Sequence, residues 1–236
     1  MRFGLSCADG HKDCVPEPRL DPLGLHRLGC ARAAGARRRR HDEMVAVIAK
    51  TALSADPNSF RVAREEHLPD DSTTNSRPGD VALNLGDGRT YADLTVTNPF
   101  AAARANVSII AGSPASAAAL AYDRKVRGWQ ALLEAAGVTP DLASSKFAPL
   151  AVTAIGAWDE RSLLWLKRFS AVCALATGED TGLAFGSLMT KLSVALWRGN
   201  SRMIRALRAP QILARDEGSE PAELGSGDCS DFDDDL

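Results

Sequence analysis

The sequence predicts an α/β fold, a mixed β-sheet flanked by helices. Three observations predict it. Alternating apolar residues over 81–85 and 91–97 are joined by Gly86-Asp87-Gly88, a strong hairpin signal. A helical pattern over 115–136 separates that hairpin from an apolar run at 147–155, which reads as a further strand. Two more helical patterns follow, near 160–176 and 181–207. The order helix, strand, hairpin, helix, strand, helices is that of a mixed sheet covered by helices.

The elements can be taken in turn. Residues 1–40 are rich in Gly, Pro, Cys and Arg and lack periodicity, so they read as a small loop-rich module. A helix starts near His41, with Val45, Ile48, Ala49 and Ala52 at helical spacing, and Asp56-Pro57-Asn58 ends it. The alternation Phe60-Arg61-Val62-Ala63-Arg64 suits a strand, and a polar loop follows over 70–78. In the hairpin, Val81, Leu83 and Leu85 share one face of the first strand. On the second strand Ala92, Leu94 and Val96 point one way and Tyr91, Asp93 and Thr95 the other. The 115–136 helix carries an apolar stripe of Tyr122, Val126, Trp129 and Leu133 and is stopped by Gly137. Lys125 lies at the edge of that stripe, where its ammonium can snorkel towards the sheet. The strand at 147–155 is almost wholly apolar, which suggests a central position. Cys173 falls at an apolar helical position and reads as core.

The chain has 236 residues, 45% hydrophobic and 25% charged, enough for one compact domain with a small accessory module. Its net charge of -2 conceals an uneven distribution. Arg37 to Arg40 form a basic run, whereas residues 211–236 are expected to be a disordered acidic tail ending Asp231-Phe232-Asp233-Asp234-Asp235. No apolar run reaches the ~18 residues of a membrane span, and no secretory signal is evident at the start. An intracellular, reducing compartment is expected, where clustered Cys and His favour metal over disulfide.

The residues with chemistry in them are Asp80, Asp93 and Lys125. Two carboxylates on adjacent strands and a lysine on the following helix can hold a divalent metal beside a phosphodiester. Mg²⁺ takes hard oxygen ligands, one or two of them carboxylates, and a cationic amine can orient water or offset developing negative charge. Spacing alone does not single this out. An aspartate ahead of a hairpin strand is common, and one polar residue in a strand usually marks an exposed face.

The strings Arg77-Pro78-Gly79-Asp80, Asp93-Leu94-Thr95-Val96 and Lys125 resemble the restriction-enzyme-like endonuclease domain at the C-terminus of non-LTR retrotransposon polyproteins, a branch of the PD-(D/E)XK superfamily. In that branch the lysine normally two residues after the second acid has moved to the next helix; here Thr95 stands in the vacated position and Lys125 in the helical one. Leu20 to Cys30 resembles the end of the family's zinc knuckle, and Arg40-His41-Asp42 the arginine-histidine pair opening its first helix. Phe147-Ala148-Pro149-Leu150 resembles the strand after the catalytic helix, and Leu192 to Asn200 the closing helix. The resemblance covers roughly residues 7–205 in order. Trp129 departs from it, standing where the family often has an aromatic hydroxyl. A further family acid could match Glu65 or Glu66.

The resemblance implies a PD-(D/E)XK nuclease-like core over 41–210 and a Mg²⁺-dependent DNA endonuclease that nicks a target strand. Asp80, Asp93 and Lys125 would be its catalytic residues, and Asp80 and Asp93 its Mg²⁺ ligands. The alternative is a catalytically inactive nucleic-acid-binding remnant of such an element. The 1–40 module would bind zinc through Cys7, Cys14, His26 and Cys30, with His11 able to substitute for Cys7. The Cys7 to Cys14 half is wider than the usual C-x₂₋₄-C, so decay to free thiols is the competing reading.

DNA, in duplex form, is the expected partner, with element RNA or a reverse transcriptase as further ones, and the nucleus the expected compartment. Arg38, Arg39 and Arg40 could neutralise phosphates. On the last helix Lys191, Arg198, Arg202 and Arg205 form a basic face opposite Leu188, Leu192, Leu196 and Met203, which could track a DNA backbone or simply be solvated. His41 reads either as a donor to a phosphate or carboxylate or, preferred, as a partly buried helix cap.

Overall fold

The computed structural model describes residues 28, 33–56, 63–64, 79–84, 88–99, 113, 115–135 and 147–206. In chain order they form α1 (Ala34–Ala55), β1 (Ala63–Arg64), β2 (Val81–Asn84), β3 (Arg89–Thr97), α2 (Ala115–Ala135), β4 (Phe147–Thr153), α3 (Glu160–Thr177) and α4 (Thr181–Ala206). The fold is mixed α/β. The sheet runs β1-β2-β3-β4, antiparallel at the first two pairings and parallel at the last. The parallel pair needs a crossover, and α2 lies within it.

The pleat sorts the side chains into two layers. Val81 and Leu83, Ala92 and Leu94, and Ala148, Leu150 and Val152 face one way and pack on α1, α3 and α4 in the main core. Ala82, Tyr91 and Phe147 face the other way, towards Trp129 and Leu133 of α2. Trp129 stacks on Phe147 with ring centroids 4.7 Å apart and meets Tyr91 at 6.2 Å, so its departure from the expected hydroxyl becomes an aromatic anchor for α2. The same alternation that buries Ala92 and Leu94 turns Asp93 towards α2.

Three expectations are corrected. The first helix begins at Ala34, two turns before His41, so the Arg37 to Arg40 run is helical and not part of a loop-rich module. Arg and Ala are strong helix formers, and an arginine run propagates a helix as readily as it solvates a loop. Secondly, β4 is the edge strand among the described residues, not a central one. It is apolar because helices cover both its faces. Its outer edge is closed by α3: Ser162 Oγ accepts from the Ala151 amide at 2.9 Å and donates to the Pro149 carbonyl at 3.2 Å, and the Asp159 amide donates to the Ala151 carbonyl. Pro149 lacks a ladder donor and suits this edge.

Thirdly, Arg40 is no surface residue. It is 1% exposed, between α1 and α4, where its stem lies against Gly199; a Cβ at that glycine would collide with it. Arg40 Nη1 donates to Asn200 Oδ1 at 2.6 Å, and Asn200 Nδ2 donates to the Ala154 carbonyl at 2.6 Å, so one polar chain ties both helices to the end of β4.

α3 starts where Asp159 accepts from the Arg161 and Ser162 amides and ends at Gly178, whose φ of 72° suits a left-handed cap. Cys173 is buried in the main core, and burial pushes its thiol up to about 11. Among the described residues no helix is long and apolar enough to cross a membrane.

Candidate active site

The site is built where the hairpin runs out of partners. β2 begins with Val81 opposite Ala92, so among the described residues no strand pairs with that edge of β3 beyond Ala92. The chain reaches this point through Gly79, whose Cα sits so close to β3 that a Cβ would lie 2.8 Å from the Ala92 carbonyl oxygen. The Asp80 amide then donates to that same carbonyl at 2.9 Å. The Asp80 carboxylate takes over from the missing strand: its Oδ2 accepts from the Leu94 amide at 2.7 Å.

Asp93 projects on the α2 side. Lys125 Nζ lies 2.9 Å from Asp93 Oδ1 and 2.7 Å from Oδ2, so the ammonium bridges both carboxylate oxygens. The register that pairs Val81 with Ala92 sets Asp80 opposite Asp93, and the charges of Asp80, Asp93 and Lys125 act on one another, so the three form one cluster. α2 is held over this cluster by Arg161 at the start of α3. Arg161 pairs with Asp123 at 2.7 Å and Asp159 at 3.1 Å, and its guanidinium lies 3.8 Å from the centre of the Tyr122 ring. Tyr122 and Asp123 are on the turn of α2 that carries Lys125. The hydrogen bonds to Asp159 are the main reason the Arg161 pKa is raised.

His41 completes the cluster. Its Nε2 is 2.9 Å from Asp80 Oδ2 and 3.0 Å from the Leu94 carbonyl oxygen, and its Nδ1 is 3.3 Å from Asp42. The expected cap role is thus replaced. His41 lies in the second turn of α1 and ties α1 to the open edge of β3. One signal for this was present in the sequence, namely that His41 precedes Met44, Val45 and Ile48 by the three to seven positions that place it on the same helix face. The Leu94 carbonyl, a backbone group, carries no sequence signal.

The electrostatics divide the two acids. Burial pushes Asp80 up, but the His41 hydrogen bond and charge, the Leu94 amide and Lys125 together outweigh it and hold the carboxyl below its ordinary value. Asp93 moves the other way, to about 6: burial outweighs the attraction of Lys125, and the neighbouring Asp80 adds to the rise. His41 is raised to about 9, mainly by its hydrogen bond to Asp80, against the opposing cost of burial. Near neutral pH the His41–Asp80 pair is doubly charged, and Asp93 is the group poised to exchange a proton.

Among the described residues no group of three or more His, Cys, Asp or Glu side chains could by itself hold a metal ion. Asp80 and Asp93 offer two carboxylates, with the Leu94 carbonyl directed at the same imidazole nitrogen as Asp80. That donor set, hard oxygens only and two negative charges, fits Mg²⁺, which keeps several waters and binds substrate phosphate in its remaining positions.

The other expected site residues are distributed differently. Arg38 and Arg39 are exposed on α1, whereas Arg40 is internal. Lys191, Arg198, Arg202 and Arg205 are exposed on α4, with Leu188, Leu192, Leu196 and Met203 buried opposite them. Arg202 is ion-paired with Glu43 of α1, and Trp197, 55% exposed, stands among these cations. Cys7, His11, Cys14, His26, Cys30, Glu65 and Glu66 lie outside the described residues. No protein-family model matches the chain, and no curated protein matches it either.

Proposed function

We propose that the chain is a Mg²⁺-dependent DNA endonuclease domain of the restriction-enzyme-like, PD-(D/E)XK type, derived from a non-LTR retrotransposon and acting on duplex DNA in the nucleus. The observation that carries the reading is the clustering of Asp80, Asp93 and Lys125 where, among the described residues, β2 ceases to pair with β3, with Lys125 2.7 Å from Asp93. Two partly buried carboxylates shifted in opposite directions beside one amine are the kind of perturbed cluster that functional sites concentrate.

In this reading Asp80 and Asp93 would hold the metal, whose chemistry when bound would be Lewis-acid polarisation of the phosphodiester and a more acidic water. Below about pH 6, Asp93 would have to lose its proton to solvent before it could hold a metal. Lys125, released from Asp93, orients the water or offsets charge on the phosphorane. His41 fixes the Asp80 oxygen that also accepts from Leu94. Water oxygen bonds to phosphorus, the bond from phosphorus to the 3′ oxygen breaks, and the water's proton ends on the leaving oxygen. The products are a 3′-hydroxyl and a 5′-phosphate. The basic side chains of α4 would hold backbone without reading sequence, and Cys7, Cys14, His26 and Cys30 would hold zinc.

One observation favours the competing reading, a binding remnant without catalysis. Lys125 occupies both oxygens of Asp93, and that pair must open before the carboxylate can hold a metal. Plasmid nicking in Mg²⁺ separates the two. The wild-type chain is expected to relax supercoiled plasmid and Asp93→Ala to fail. Equal nicking by both points to a contaminant and removes the enzyme; DNA binding by both without nicking leaves the remnant.

A further inference from the structure

The first half of α1 and the open edge of β3 enclose a groove of about 320 Å³, lined by Arg37, Arg38, Arg40 and His41 on one side and residues 94–96 on the other. Two features of it are unexplained by packing. Arg40 is 1% exposed, yet among the described residues no carboxylate is its partner: Nη1 donates to a neutral amide oxygen, and buried Nε has no hydrogen-bond partner there. A guanidinium buried without a counter-ion is costly, and leaving one of its donors unmet adds to the cost. Secondly, Arg37 aggravates this instead of relieving it. Burial, and then the charge of Arg37, bring Arg40 down to about 10. Arg37 and Arg40, from successive turns of one helix, both line a concave surface to which the described residues contribute no carboxylate.

We propose that this groove is an oxyanion site that takes a phosphate group. It is continuous with the candidate active site, because His41 belongs to both: its ring lines the groove and also touches Asp80. A phosphate seated beside Arg37 would accept from its guanidinium fork and, lying over the buried Arg40, would offset their mutual repulsion. The identification of that phosphate as a DNA linkage neighbouring the one cleaved rests on the endonuclease reading; the anion site itself does not. Bound there, the backbone would run along the edge of β3 where no strand pairs among the described residues, with the scissile linkage delivered to Asp80 and Asp93. The groove thus positions the substrate, whereas the exposed cations of α4 only attract it.

Inorganic phosphate is the probe for the site. It is titrated into the full metal-free chain at constant ionic strength while the amide resonances of Thr95 and Val96 and the His41 ring are followed. Saturable shifts are expected, weakened about tenfold in Arg37→Gln, the loss of one charge-assisted contact. Arg37 is exposed on α1, so its replacement spares the core; Lys50→Gln, the same charge change at the far end of that helix, should titrate like wild type. The inference is overturned if phosphate leaves these resonances unmoved, or if Arg37→Gln and Lys50→Gln titrate alike. Duplex DNA binding gives the second arm. Arg37→Gln should lower the slope of log affinity against log salt by about 1, and an unchanged slope would exclude DNA backbone as the ligand. Phosphate binding without any Mg²⁺-dependent nicking would retain the anion site and remove the nuclease; nicking with no phosphate response would do the reverse.

Discussion

Asp80 and Asp93 lie on either side of one hairpin pairing and answer the same partly buried setting with opposite acidities. Asp80 is held low because His41, the Leu94 amide and Lys125 together outweigh its burial, whereas Asp93, with Lys125 against it and Asp80 beside it, is pushed up to about 6. A pair of carboxylates split in this way has one permanent anion and one proton-exchanging group, the arrangement a cation would consolidate.

The first consequence concerns stability. A carboxyl whose folded pKa is about 6 and whose ordinary value is 3.8 favours folding in its protonated form. Its ionisation costs nothing below the lower value and costs most above the higher one. Asp93→Asn should therefore be more stable than wild type at pH 8, by on the order of 2 kcal/mol, and the gap should close towards pH 4. Thermal unfolding across that range checks it. Destabilisation at pH 8 would mean that the Lys125 pair outweighs burial.

Metal binding should carry the same signature. Because the Asp93 proton must leave, apparent Mn²⁺ or Mg²⁺ affinity is expected to rise up to about tenfold per pH unit below 6 and to level off above it. Isothermal titration at pH 5, 6 and 7.5 would show this. Asp80→Asn should abolish the heat of binding.

Lys125→Met keeps an aliphatic side chain on α2 and removes only the ammonium that pairs with Asp93. Nicking should fall about 10²-fold or more, as for loss of a group acting on transition-state charge, with metal affinity maintained or raised. Titration calorimetry alongside plasmid nicking tests both halves. Unaltered nicking would mean that Lys125 merely satisfies Asp93.

His41 supplies a second pH dependence, of the same sign as that of Asp93 but in a higher window. Its folded value is about 9 against an ordinary 6.5, so the stability it lends is complete below 6.5 and is lost as pH rises through 9. His41→Asn should be destabilised by on the order of 1–2 kcal/mol at pH 6, a figure reduced for its partial exposure, and by little at pH 10. Urea unfolding at the two values gives the comparison.

Gly199→Ala isolates the helix–helix contact. The new methyl meets the Arg40 stem, and α1 must shift or Arg40 must leave its pocket. A loss of about 1–3 kcal/mol is expected from overpacking. If Arg40 moves, the phosphate response described above should weaken in the same variant.

Much of this architecture was written in local pattern. Period-two alternation at 81–84 and 91–97 put Asp93 on the face opposite Leu94, and the 3.6-residue period placed α2, α3 and α4 within a residue or two of their ends. Both kinds of pattern record burial on one face of one element, so neighbours a few residues apart suffice to reveal them. Arg40, His41 and β4 required more. Four consecutive arginines look alike in the chain, but α4 packs against α1 and Gly199 leaves room for one of them inside. His41 meets Asp80 39 positions away, through a strand edge that exists only because β2 stops short. An apolar strand also looks the same whether sheet or helix covers it, so the place of β4 at the edge depended on Ser162 and Asp159 folding back to close it. Residue identity specifies which groups can pair. Which groups do pair is decided by long-range packing, because burial and charge energies depend on distances that chain spacing does not encode.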